Sequence, residues 1–215
     1  MTQPLAAAGR RAYDRLLGPR EVPRQLRSVF RQLGPASLAV DCGANVGRVT
    51  ELLAARGAEV YAFEPNPHAF EVLSGRFAAS PRVHCFEQAV AASSGAARLH
   101  LHVDAGEDPL TWSVGSSLLA AKPNVDTATF VDVETVDLDA FLGGLGRRIT
   151  VLKLDVEGAE IEILERLLET GRLAAIDHVL VEMHDRKIPG YEERGAALRQ
   201  RLGAPAHRHV HLDWV

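Results

Sequence analysis

Val40-Asp41-Cys42-Gly43-Ala44-Asn45-Val46-Gly47 is the part of the sequence that says most about the fold. The apolar run Leu38-Ala39-Val40 reads as the end of a buried strand, and an apolar-periodic segment opens near Val46. A strand that ends in a glycine turn and opens a helix is where open α/β sheets receive nucleotide-type cofactors. A dinucleotide fingerprint has three glycines around a pyrophosphate, whereas this turn has two, Gly43 and Gly47, with Asp41 at the strand tip. That carboxylate would repel a diphosphate and suits a cofactor with no phosphate and a positive charge. S-adenosylmethionine, with its ammonium and sulfonium, answers that description.

Length and composition agree with one α/β domain carrying a short appendage. A chain of 215 residues, 47% hydrophobic and 24% charged, can bury a sizeable core. No apolar run reaches the ~18 residues of a membrane span, and Leu5–Ala8 is too short for a secretory core. Cys42 and Cys85 lie in runs read as the first and third strands of a 3-2-1 order, too far apart to bridge. A reduced, cytoplasmic setting is expected. The net charge of −4 argues weakly against a nucleic-acid partner, and no membrane partner is expected. Residues 1–31 nevertheless hold seven arginines against Asp14 and Glu21, so 1–34 is read as a basic helical arm or cap and 35–215 as the domain.

Along the chain, Val22, Leu26, Val29, Phe30 and Leu33 form a helical stripe that Gly34-Pro35 stops. Strands are expected at 37–42, 59–64 and 82–87, with helices at 46–56 and after Asn66-Pro67, an N-cap followed by an N1 proline. Leu99, Leu101 and Val103 alternate with histidines and pair with 129–135 in an inserted hairpin, leaving 104–128 as a long loop of the functional kind. Strand–helix alternation then resumes: strand 149–156, helix 157–168, strand 175–184, helix 191–202 and a short strand 207–212. That strand would carry His207, His209 and His211 on one face. The alternation predicts a doubly wound, mostly parallel, Rossmann-like sheet with its ligand at the carboxyl ends of the strands.

The strand tips are therefore the candidate site. Glu64 ends the second strand, where a carboxylate can accept both ribose hydroxyls. Gln88 and Ala89 follow the third, beside an adenine. Asp155 ends the fourth, where the reacting end of the cofactor points, followed by Glu157 and Glu160 in an expected first helical turn. Lys153, inside Val-Leu-Lys-Leu, needs a buried partner, and Glu182 of the next strand is the expected one. His184 is the general-base candidate.

These stretches resemble a family. Residues 40–47, then Ala-Phe-Glu-Pro-Asn-Pro (62–67), Leu-Lys-Leu-Asp-Val-Glu-Gly-Ala-Glu (152–160) and Val-Glu-Met-His (181–184) are similar to the FkbM methyltransferases. The resemblance implies the class I methyltransferase fold, S-adenosylmethionine as donor, and O-methylation of a hydroxyl or carboxyl on a small molecule such as a sugar or natural product. It puts Asp41, Gly43, Ala44, Asn45, Gly47, Glu64 and Pro65 in cofactor motifs, and Asp155, Glu157 and Glu182 near the reaction. The full fold of that family closes with two antiparallel strands, for which 207–212 leaves little room. No metal is assigned; a divalent ion at Asp155 and the neighbouring acids stays open for vicinal diols. The rival reading is a non-catalytic S-adenosylmethionine-binding partner module.

Overall fold

The structure is a computed structural model that describes residues 27–212. The expected basic arm up to residue 26 lies outside the described residues. The last turns of its apolar stripe are present as α1 (Arg27–Gln32), where Val29 and Phe30, with Leu33 beyond, bury against Ala39, Leu53, Val60 and Val151.

The first half alternates as its periodicity predicts: β1 (Leu38–Cys42), α2 (Arg48–Ala54), β2 (Glu59–Phe63), α3 (Pro67–Phe77) and β3 (Val83–Phe86). Asn66 caps α3, its Oδ1 accepting the amides of His68 at 3.0 Å and Ala69 at 3.4 Å, and Pro67 occupies a position whose missing N–H costs nothing. An insertion follows, made of β4 (Ala89–Ala91), β5 (Gly95–His102) and β6 (Val125–Asp137). β5 and β6 are the expected antiparallel hairpin, longer than predicted, and β4 joins β6 in parallel to make a separate sheet of order β4-β6-β5. A strand as short as β4 carries too little periodicity to be read.

The second half supplies α4 (Leu138–Gly144), β7 (Ile149–Leu154), α5 (Glu160–Glu169), β8 (Ile176–Val181), α6 (Glu192–Leu202) and β9 (Val210–His211). The main sheet runs β3-β2-β1-β7-β8-β9 with every neighbouring pair parallel. Alternate residues of each strand face opposite layers. Leu38, Val40, Cys42, Leu152 and Leu154 pack with α4, α5 and α6, while Ala39, Val60, Val151 and Leu180 pack with α1 and α2. The sheet is thus doubly wound, and its order reverses between β1 and β7. That reversal opens a crevice at the carboxyl ends of the strands.

The end of the chain differs from expectation. His207 closes a 3-10 turn at Pro205–His207 and only Val210–His211 pairs as strand, so His207, His209 and His211 do not share a strand face. β9 is parallel to β8, and no antiparallel strand joins the main sheet among the described residues.

Candidate functional site

The turn after β1 takes left-handed backbone at Gly43 (φ 75°), Asn45 (φ 49°) and Gly47 (φ 84°). The amides of Gly43 and Ala44 both donate to the Phe63 carbonyl, at 3.0 and 2.9 Å, which hangs the turn on the end of β2. A Cβ on Gly43 would stand 1.8 Å from the Asp155 carbonyl oxygen; only glycine permits that approach to the end of β7. Gly47 is the N-cap of α2.

Glu64, one residue past β2, is 6% exposed. Its Oε2 accepts the Asn45 amide and its Oε1 the Asn66 amide, both at 2.8 Å. Burial pushes its carboxyl up to about 7, against the pull of those two amides. Glu64 faces a cavity open to solvent, about 600 Å³ with its open side included, together with Gly43, Asn45, Pro65, Gln88 and Ala89. Asp155 and Glu157 line its other end, and Phe63, Val90 and Leu99 supply apolar wall. Its remaining wall is Ser113–Ser116 with Leu118, from the segment between β5 and β6. Sequence reasoning found that segment by its length alone.

Other expected site residues stand outside the cavity wall. Ala44 packs against Ala62 and Leu73. Asp41 is fully buried beneath the turn; its Oδ2 accepts the Thr50 hydroxyl at 2.7 Å and its Oδ1 lies 3.2 Å from Lys153 Nζ. The expected Lys153–Glu182 pair is not formed. Strand register sets Lys153 beside Asp41 of β1 and Leu180 of β8, so the facing carboxylate comes from β1. The ammonium also donates to the carbonyls of Gly43 (2.6 Å) and Cys42 (3.3 Å) and lies 3.4 Å from Asp155 Oδ2. Those anions hold Lys153 charged and its pKa up in spite of burial. Burial raises the Asp155 carboxyl, opposed by Lys153 and reinforced by Glu182 and Glu157.

The tip of β7 corrects a second expectation. Glu157 adopts φ 58° and Gly158 φ 130°, so α5 starts at Glu160 and Glu157 is not in its first turn. A Cβ on Gly158 would meet Ile188 and Leu119 side chains at 2.7 and 2.8 Å. The left-handed turn aims Glu157 at the inserted segment: Oε1 accepts the Gly115 amide at 3.1 Å, and Oε2 pairs with the buried Lys122 ammonium. The Ser117 hydroxyl donates to the Glu157 carbonyl at 2.6 Å, and Asn45 Nδ2 donates to Ser113 Oγ at 2.9 Å. On the same side His102 of β5 stacks on Trp112, with centroids 4.5 Å apart.

His184 is 1% exposed, with Nδ1 3.0 Å from Glu160 and Nε2 3.1 Å from Glu157 and 3.5 Å from Glu182. Burial opposes its protonation, yet bonds to Glu160 and Glu182 and the charges of Glu160 and Glu157 push it up to about 10. Glu182 also faces Lys187 at 3.9 Å. Asp155, Glu157 and His184 each bring a potential ligating atom within 4.8 Å of the others. The positive charge facing those two carboxylates is supplied by Lys122, Lys153 and the imidazolium itself.

A parallel, doubly wound sheet with an acid-lined cavity at the tips of β1, β2 and β7 defines the class as a Rossmann-like protein of class I methyltransferase fold. The chain belongs to the family described as the methyltransferase FkbM domain, whose model matches residues 41–210. The hexuronic acid methyltransferase AglP of Haloferax volcanii is 30% identical over 146 residues, 67% of this chain and 54% of that protein. This chain therefore spans about half the length of that relative. The 2-O-methyltransferase NoeI of Sinorhizobium fredii is 26% identical over 182 residues, 79% of this chain and 73% of that protein. Among solved structures, an rRNA methylase from Streptococcus thermophilus superposes loosely, with TM-score 0.46 and 12% identity over 84% of this chain and 77% of that one.

Proposed function

We propose that this chain is an S-adenosylmethionine-dependent O-methyltransferase whose acceptor is a hydroxyl of a sugar or sugar-like small molecule. The observation that carries the reading is the charge of the cavity wall: Glu64, Asp155 and Glu157 line it, and among the described residues no lysine or arginine does. A dinucleotide's diphosphate would meet three carboxylates there, whereas a cofactor bearing an ammonium and a sulfonium is favoured by them. The named activities of AglP and NoeI, methylation of a hexuronic acid and 2-O-methylation, support the acceptor class.

The residues present fit that cofactor. Each Glu64 oxygen gives one lone pair to a backbone amide and keeps another for a ribose hydroxyl. Gln88 and Ala89 would take the adenine edge, and Gly43 with Asp155 the amino-acid end. When bound, the cofactor supplies a methyl already activated by its sulfonium, so the protein's task is chiefly placement of the acceptor oxygen. Asp155 takes the hydroxyl proton; its raised pKa makes it a stronger base than an exposed aspartate, and Lys153 holds its carboxylate in place. His184, already protonated, balances Glu157, Glu160 and Glu182 instead of acting as the base. Asp41 acts through Lys153, as a positioning residue. The wall at Ser113–Ser116 keeps water from the reacting end.

Calorimetric titration with S-adenosylhomocysteine and, separately, NAD tests the cofactor. Heat with NAD and none with S-adenosylhomocysteine overturns the reading. Transfer of a radiolabelled methyl to a panel of hexuronic acid and neutral sugar glycosides tests the acceptor.

A further inference from the structure

The inserted segment buries Ser113, Ser116 and Ser117; the first two line the cavity, and Ser113 and Ser117 both bond within the protein. Ser113 Oγ donates to the Leu110 carbonyl at 2.8 Å and accepts Asn45 Nδ2. Ser117 Oγ donates to the Glu157 carbonyl and accepts the Leu119 amide at 3.0 Å. Ser116 differs. It is 8% exposed, its Oγ is buried without a hydrogen-bond partner among the described residues, and it lines the same cavity as Glu64 and Asp155. The backbone on either side is clamped, Gly115 N to Glu157 and Ser117 N to the His100 carbonyl at 2.9 Å, so the residue is held at the wall, where a rotation about its Cα–Cβ bond is all that reorients the hydroxyl.

A buried hydroxyl with no partner is costly, and native proteins rarely keep one without a use. Were it structural, it would bond inward as Ser113 and Ser117 do. We infer that Ser116 is a cofactor-binding residue, its hydroxyl hydrogen-bonding a polar atom of the S-adenosyl ligand in this cavity. The inference rests on the cofactor reading above and extends it to the inserted segment, where no cofactor motif falls.

The test compares wild type, Ser116→Ala and Ser117→Ala in two measurements. Thermal denaturation without ligand should leave Ser116→Ala as stable as wild type or more so, because an unsatisfied group has been removed. Ser117→Ala should melt lower. Calorimetry with S-adenosylhomocysteine should show affinity about three- to tenfold weaker for Ser116→Ala, the worth of one hydrogen bond. Repeating it with methylthioadenosine locates the contact: weakening there puts it on the nucleoside, and its absence there puts it on the amino-acid end. Unchanged S-adenosylhomocysteine affinity in Ser116→Ala overturns the inference, as does a loss of stability matching Ser117→Ala. Failure of the wild type to bind at all sinks the cofactor reading instead.

Discussion

Glu64 is held between opposed demands, since burial favours its neutral form while two amides, and the diol it would bind, favour its carboxylate. With the free carboxyl near 7, a ligand that needs the ionised form binds fully above that pH and progressively less as pH falls through it. S-adenosylhomocysteine affinity is therefore expected to level off above about pH 8 and to decline toward pH 6. Glu64→Gln should bind roughly tenfold to a hundredfold more weakly at pH 8 and lose that dependence; a variant that keeps the wild-type profile would rule Glu64 out as its origin. His184 titrates in the other direction. Its folded pKa near 10 lies above the ordinary value of 6.5. The stabilisation from its charge is complete below about 6.5, erodes as pH rises and is gone above about 10. His184→Asn should cost about 3–5 kcal/mol at pH 6 by leaving buried acids without their cation. The gap in urea midpoint between wild type and variant should narrow from pH 7 to 10. A gap independent of pH would remove the imidazolium from the account.

At the scale of elements, the glycine turn and the tip of β7 form one unit, because the Gly43 backbone presses on the Asp155 carbonyl and Lys153 bonds back to the Gly43 carbonyl. Gly43→Ala adds a carbon where there is no room, at a left-handed φ as well. It should push β7 from β1 at their carboxyl ends, abolish measurable S-adenosylhomocysteine binding and cost about 1–3 kcal/mol in denaturant unfolding. Wild-type affinity in that variant would show that the close approach has no part in the site. The elements themselves were legible because their signals are local: β1, β2, α3 and β7 follow from apolar periodicity, caps and glycines within each segment. Two elements were misread at their ends for lack of such signals. Glu157 looks like a first-turn acid, and only its left-handed backbone takes it out of α5. His207 to His211 alternate like a strand, but a 3-10 turn ends on His207 and the strand begins only at Val210.

At the scale of the molecule, the cavity belongs to no single element: β1, β2, β7 and the inserted segment each give it a wall. A ligand bound there ties them together and should stabilise the whole domain by mass action. At a hundred times its Kd, S-adenosylhomocysteine is expected to add about 2.7 kcal/mol, raising the melting temperature by roughly 5–10 °C for a domain of this size. The same concentration of NAD should leave it unchanged; an equal shift with both would remove the discrimination on which the cofactor reading rests.

The doubly wound sheet, the turn at Gly43–Gly47, and the place of Glu64 and Asp155 at the cavity are readable from local pattern, since strand tips follow from where apolar runs stop. Which charges meet, and which face the cavity, depends on how the elements pack. Register across β1 and β7 gives Lys153 to Asp41 and not to Glu182, and that pairing takes Asp41 out of the cavity wall. The approach of a segment some 40 residues away in sequence engages Ser117 and leaves Ser116 without a partner among the described residues. Neither fact has a local signature, because strand register and loop closure are set by packing between elements, while the periodicity of a sequence reports only on the element that carries it.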